Sequence, residues 1–161
     1  MTSSEKIKLD GIDLALLLEI QNDSRISNNE LARRINLSQP AAHARLKRLK
    51  KLGVVKRHVS LLDHEKLGLE LICFFQIRLQ GHSEEVLTHF EEEICLFPQV
   101  LECHYLTGES DYLIKAIFRS QHELEQFLRS KLTTLPHVMQ ITTSLVLSEI
   151  KATTILPLPE I

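Results

Sequence analysis

Apolar residues recur at helical spacing through the first third of the chain. Ile12, Leu16, Leu17 and Ile20 form one stripe, and Asp10 stands ahead of it as a candidate N-cap. Ser27-Asn28-Asn29-Glu30 has the spacing of a capping box, in which the serine accepts from a free N–H and Glu30 reaches back. Leu31, Ala32 and Ile35 supply the buried side of that second helix. Asn36-Leu37-Ser38 follows as a turn, with Leu37 as its apolar plug. Ser38 is placed to cap a third helix, and Pro40 falls in its first turn, where the missing N–H costs little. Ala42, Leu46 and Leu49 share one side of this helix. Gln39, His43, Ala44, Lys47, Arg48 and Lys51 lie largely on the other. Gly53 ends the helix, and Val54 to Leu61 reads as a strand of a wing. Residues 27–58 therefore have the layout of a winged helix-turn-helix.

The period changes after Gly68. Leu71 to Leu79 reads as a strand with Phe75, Ile77 and Leu79 on one face. Ser83-Glu84-Glu85 opens a helix with the stripe Val86, Leu87, Phe90, Ile94 and Phe97, and Pro98 stops it. Val100 to Thr107 is a second strand, Gly108-Glu109-Ser110-Asp111 a tight turn, and Tyr112 to Arg119 a third strand. Ser120 to Glu123 is another capping box. It opens a helix with Leu124, Phe127, Leu128 and Leu132 facing inward, closed by Pro136. Val138 to Ile150 is the last strand. The fold class is α+β: an N-terminal winged helix-turn-helix, residues 1–64, followed by a C-terminal ferredoxin-like βαββαβ domain, residues 65–161. Helices on one side of such a sheet leave its other face open, which predicts a subunit interface and a homodimer.

Charge separates the same two halves. Residues 1–64 carry 12 Lys and Arg against 7 Asp and Glu; residues 65–161 carry 7 against 14. The basic half is suited to a polyanion and the acidic half is not. No acid interrupts the chain between Arg45 and Arg57, so the i,i+4 pairs of an ordinary surface helix are absent. A two-fold dimer presenting two such helices fits double-stranded DNA with a pseudo-palindromic operator. The start of a recognition helix faces base edges, so Gln39 and His43 are the candidate readers, flanked by Ser38 and the small Ala41. Arg45, Lys47, Arg48, Lys51, Lys56 and Arg57 are candidates for phosphate contacts, which give affinity and register. Arg45 also flanks the buried stripe, and a structural role stands equally open.

Other chemistry is poorly supported. Cys73, Cys95 and Cys103 have no CxxC spacing and sit in apolar periodic segments, as reduced core thiols would. Cys103 and His104 are adjacent in a strand and point to opposite faces, which disfavours a shared metal ion. The eight histidines are scattered, and no nucleophile–base pair stands out, so the chain is expected not to be an enzyme and to need no cofactor or metal. No apolar run is long enough to span a membrane and no signal peptide opens the chain, which places it in the cytoplasm.

With both halves assigned, the chain resembles the Lrp/AsnC family of bacterial and archaeal regulators. The residues that carry the resemblance are LDGIDLALLLEIQNDSRISNNELARRINLS (9–38), RLKRLKKLGVVKRH (45–58), LDHEKLG (62–68), LTGESDYLIK (106–115) and LVLSEIKATTILPLP (145–159). The resemblance implies an N-terminal DNA reader and a C-terminal regulatory domain. It implies dimers that assemble into octamers or related discs, and an amino-acid effector held between dimers. It places the effector at the turn containing Thr107, Gly108 and Asp111 and along the final strand at Ile141 and Thr143. Ile141 stands where the family often has threonine, which implies a less polar pocket. Residues 39–44 (Gln-Pro-Ala-Ala-His-Ala) replace the usual proline- and serine-rich opening of the recognition helix, and Lys50 stands where glutamate is common. The operator is therefore expected to be this chain's own.

The residues of the turn carry a reading of their own. Gly108 permits positive φ, free N–H groups there suit a carboxylate, and Asp111 suits an α-amino group. The commoner use of such an aspartate is to cap its own turn. Two other functions remain in view. Sirohaem decarboxylases resemble this family in fold and use histidines beside a tetrapyrrole; His58 and His104 lie in comparable regions. An architectural DNA-binding protein would ignore small molecules altogether.

Overall fold

The structure is a computed structural model and describes residues 7–159. Of these, 7–61 and 151–159 pack as one unit and 62–150 as a second. Residues 151–159, read from the sequence as the end of the second domain, thus pack with the first unit.

Three helices build the first unit: α1 (Gly11–Asn22), α2 (Asn28–Arg34) and α3 (Gln39–Lys51). Asp10 caps α1, and with Asp13 it completes a reciprocal capping box. Ser27 caps α2 by accepting from Glu30 N–H at 3.2 Å. Glu30 does not reach back as expected: its carboxylate is taken by Arg33 and Arg34 on its own helix. Ser38 has the extended backbone of an N-cap but makes no side-chain cap bond, so that expectation also fails.

The turns at both ends of the motif follow one plan. Asn36 adopts φ +53°, and Leu37 N–H donates back to Ala32 C=O at 2.9 Å. Gly53 adopts φ +72°, and Val54 N–H donates back to Leu49 C=O at 3.1 Å. A left-handed residue satisfies the last carbonyls of each helix and turns an apolar side chain inward. Leu37 and Val54 accordingly pack on the core of Leu16, Leu17, Ile20, Leu31, Ala32, Ile35, Ala42 and Leu49. Ile12 was expected in this core and is exposed, whereas Asp13 is buried in its place.

The wing strand expected at 54–61 is not formed. Residues 56–63 lie outside regular structure and no strand ladder engages them. A strand exists only through a partner's ladder bonds, and none of the described residues supplies one along this stretch.

The second unit has the order β1 (Leu71–Leu79), α4 (Glu84–Cys95), β2 (Val100–Tyr105), β3 (Tyr112–Phe118), α5 (Gln121–Ser130), β4 (Val138–Leu145). The sheet is antiparallel with strand order β2-β3-β1-β4, the ferredoxin-like arrangement. One face carries Cys73, Phe75, Ile77, Leu79, Tyr112, Ile114, Ala116 and Phe118, covered by Phe90 and Ile94 of α4 and Phe127 of α5. Ser83 and Ser120 cap the two helices as expected, although Glu123 reaches Arg119 N–H rather than that of Ser120. The last strand ends at Leu145, five residues short of the expected Ile150; Val146 N–H still bonds Ile72 C=O before the chain leaves the sheet. Cys73 is buried and Cys103 half-buried, and burial pushes the Cys103 thiol up to about 11. Cys95 is exposed, contrary to the core position expected for it.

Candidate DNA interface and effector turn

The third helix presents its polar side as its spacing predicts. Ser38, Gln39, His43, Ala44, Lys47, Lys50 and Lys51 are exposed, Ala41 is half-buried, and Ala42 and Leu49 face the core. Lys56 and Arg57 follow on the exposed segment after Gly53. Among the described residues, none of Lys47, Lys50, Lys51, Lys56 and Arg57 is in an ion pair.

Arg45 and Arg48 differ from the other cations. Arg45 Nη1 donates to Asp10 Oδ2 at 2.7 Å and to Asp13 Oδ1 at 3.0 Å, and Arg48 Nη2 donates to Asp13 Oδ2. The reading of an unpaired basic face was therefore incomplete, because the missing acids come from α1 rather than from α3 itself. Burial alone would raise the Asp13 pKa, but Arg48, the Asp10 N–H and Arg45 together hold it below the usual carboxylate range. Sequence spacing did not single out Asp13, since its partners lie 32 and 35 residues away.

In the second unit, strand register sets the geometry of the expected effector residues. Tyr105, Tyr112, Ile77 and Ile141 form one cross-strand row. Asp111 precedes that row on β3, and β1 separates it from Ile141 on β4. Thr143 lies two residues further along β4, opposite Phe75, and is exposed on this edge strand. Ile141 packs against the sheet–helix core. Thr107 and Gly108 are exposed in the β2–β3 turn, where Gly108 adopts φ +126° and Leu106 N–H closes on Asp111 C=O at 2.7 Å. The residues thus share one end of the sheet. A groove of about 760 Å³ lies in the first unit along the end of α1, residues 54–61 and Leu156.

Asp111 does not cap its own turn. Its Oδ2 accepts from Leu79 N–H at 2.7 Å, at the irregularity where β1 and β4 shift register, and its Oδ1 meets His82 Nε2 at 2.7 Å. Burial would raise its pKa, yet the Leu79 N–H and the His82 ring hold it below the ordinary value. His82 was not foreseen as part of this cluster; nothing in the spacing links it to a residue 29 positions on.

The histidines weighed for tetrapyrrole chemistry belong to different units. His58 is exposed in the first unit; His104, in the second, pairs with Glu102 at 3.0 Å. Among the described residues, no cluster of His, Cys, Asp or Glu has the form of a metal site, and no helix is long and apolar enough to cross a membrane.

Comparison with known proteins agrees with this division of labour. The Lrp/AsnC ligand binding domain matches residues 72–156, and a winged helix-turn-helix DNA-binding domain matches residues 9–56. The transcriptional regulator AzlB of Bacillus subtilis is 36% identical over 154 residues, covering 96% of this chain and 98% of its own. The DNA-binding transcriptional activator DecR of Escherichia coli is 35% identical over 150 residues, covering 93% and 99%. Among solved structures, a Neisseria meningitidis transcriptional regulator in complex with L-Met superposes with a TM-score of 0.89 at 34% identity, covering 93% and 97%. An AsnC family transcriptional regulator from Agrobacterium tumefaciens gives 0.88 at 29%, covering 92% and 97%. With a DNA-reading motif and a ligand-binding sheet matched in this order along one chain, the protein belongs to the Lrp/AsnC family of DNA-binding transcriptional regulators.

Proposed function

We propose that this regulator reads its operator with Gln39 and His43 at the start of α3. Lys47, Lys51, Lys56 and Arg57 hold the flanking phosphates, and Ser38 and Ala41 border the contact. The observation that carries the reading is the exposed basic side of α3, whose lysines have no carboxylate partner among the described residues. Glutamine bonds adenine through its amide, while lysine neutralises phosphate without selecting a base. The protein should prefer its own upstream DNA to random duplex at physiological salt. Equal affinity for the two would refute site-specific regulation and leave an architectural role.

The working unit is a homodimer, itself assembled into an octamer or a related ring. The sheet face turned away from the helices supports this reading. Strand alternation sets Phe74, Gln76, Leu113 and Lys115 of the central strands on that face, with Glu102 and His104 on the β2 edge, a mixture of apolar and polar side chains that no helix of this chain covers. Sedimentation equilibrium at micromolar concentration should find no monomer.

The effector is an apolar amino acid bound at a subunit interface beside Thr107, Gly108, Asp111, Ile141 and Thr143. Asp111 supplies a carboxylate for the α-amino group, and the open turn at Gly108 supplies N–H groups for the carboxylate. Ile141 favours an apolar side chain, as does the L-Met bound by the Neisseria relative. The amino acid acts by preferring one arrangement of the dimers and so shifting the population that matches the operator. Methionine or leucine at millimolar concentration should raise the melting temperature, with glutamate and asparagine inert. Uniform inertness across the common amino acids would overturn the effector role.

A further inference from the structure

Asp13 is the one charged residue among the described residues that is fully buried, at 1% exposure. Its carboxylate is filled by Arg45, Arg48 and the Asp10 N–H, and Asp10 itself takes a second bond from Arg45. Both arginines come from α3 and both acids from the start of α1. Positions 45 and 48 are three apart and share one flank of α3, so two bonds to one carboxylate fix the roll of the helix about its axis. That roll determines which side chains stand outward, and those are Gln39, His43, Lys47 and Lys51.

The clamp also alters the charge available to DNA. Five cations and no acid occur in α3. Two of the five are matched within the protein by Asp10 and Asp13. Arg48 is 46% exposed, so it is within reach of solvent, but turning it to a phosphate would strip the buried Asp13 of one of its two guanidiniums and leave Arg45 alone to balance it. Arg45 is itself shared with Asp10, and a buried charge that loses part of its pairing is unfavourable, so the guanidinium stays where it is. Arginine suits the task because its planar fork bridges two carboxylates at once, which lysine cannot do.

We infer that Asp13 is a positioning residue for DNA recognition: it docks α3 on α1 through Arg45 and Arg48 and withholds both guanidiniums from the DNA phosphates. The inference rests on the assignment of α3 as the DNA-reading helix. It divides four of the five cations of α3 into two sets. Lys47 and Lys51 carry counterion release, whereas Arg45 and Arg48 carry orientation.

The salt dependence of binding separates these roles, because each neutralised phosphate contributes about 0.9 to the slope of log affinity against log salt. The full-length protein is titrated onto a mixed-sequence 40-base-pair duplex over a range of salt concentrations, as wild type, Lys47→Gln, Arg48→Gln, Asp13→Asn and Asp10→Asn. Lys47→Gln lowers the slope by about 0.9 per chain. Arg48→Gln lowers the melting temperature and leaves the slope unchanged. Asp13→Asn raises the slope, because the released guanidiniums become available to phosphates. Asp10→Asn, at an exposed position, removes one of the two carboxylates that hold Arg45, raises the slope by a smaller amount, and covers the case in which Asp13→Asn does not fold. A slope lowered by Arg48→Gln as much as by Lys47→Gln would overturn the inference, as would two aspartate variants that leave it at the wild-type value. A wild-type slope near zero would remove the DNA reading of α3 itself, and this inference with it.

Discussion

At the scale of residues, the decisive groups are carboxylates whose partners are remote in sequence. Asp111 ties the β2–β3 turn to the end of β1 and to His82, so it is positioned before any ligand arrives. Asp111→Ala should cost about 1.5–3 kcal/mol of stability, the range for a charge-assisted hydrogen bond. It should also abolish the melting shift produced by methionine. A variant that is destabilised but still responds would separate Asp111 from the effector. Acid acts on the first unit through Asp10, Asp13 and Glu30. Their pKa values are all depressed in the folded chain, that of Glu30 to about 2 by Arg33 and Arg34. A depressed carboxylate adds stability above its unfolded value, near 4, and that stability is lost as pH falls toward the folded value. The melting temperature should therefore be flat above about pH 5 and fall below about pH 4, less steeply in Asp13→Asn.

At the scale of elements, helix starts that look alike in sequence differ in what they contribute. The Ser27 side chain accepts from the Glu30 N–H, and the Ser38 side chain bonds nothing in α3. Ser27→Ala should cost about 1 kcal/mol, whereas Ser38→Ala should leave denaturant stability unchanged and affect only DNA binding. A large stability loss in Ser38→Ala would contradict this. The two helix ends that depend on backbone conformation were legible, at least in part. Gly53 reads as a terminator from its type alone, and Asn36 falls in the expected turn. The capping-box glutamate was not legible: Glu30 has the right spacing, but two arginines one turn on compete for it and prevail. The wing was not legible either. Val54 to Leu61 has strand composition, but composition cannot supply the second strand that a ladder requires.

At the scale of the whole molecule, the final segment belongs to an unexpected unit. The Gln21 side-chain amide accepts from Leu156 N–H at 2.8 Å and donates to Leu156 C=O at 3.4 Å, as a paired strand would. Leu158 packs on the helix-turn-helix core. The ligand-binding sheet is thus a segment inserted within the DNA-reading unit, joined to it at both ends. Leu158→Ala should destabilise by roughly 1 kcal/mol, less than the 2–5 kcal/mol of a fully buried leucine, because the site is half-exposed. Removal of residues 152–161 should lower the melting temperature further and reduce DNA affinity. A truncated chain with wild-type stability would show the contact to be incidental.

Local pattern by itself determined much of this protein: three helices, the turn at Asn36, the β1 span from Leu71 to Leu79, the βαββαβ order and the polar side of α3. Each follows from periodicity and chain punctuation, which act over a few residues and are written in the sequence. Only the tertiary structure decided that Asp13 is buried between two arginines, that His82 meets Asp111, and that residues 151–159 return to the first unit. Those outcomes depend on which distant groups compete for one carboxylate or one apolar surface. Spacing along the chain holds no record of that competition until the elements have packed.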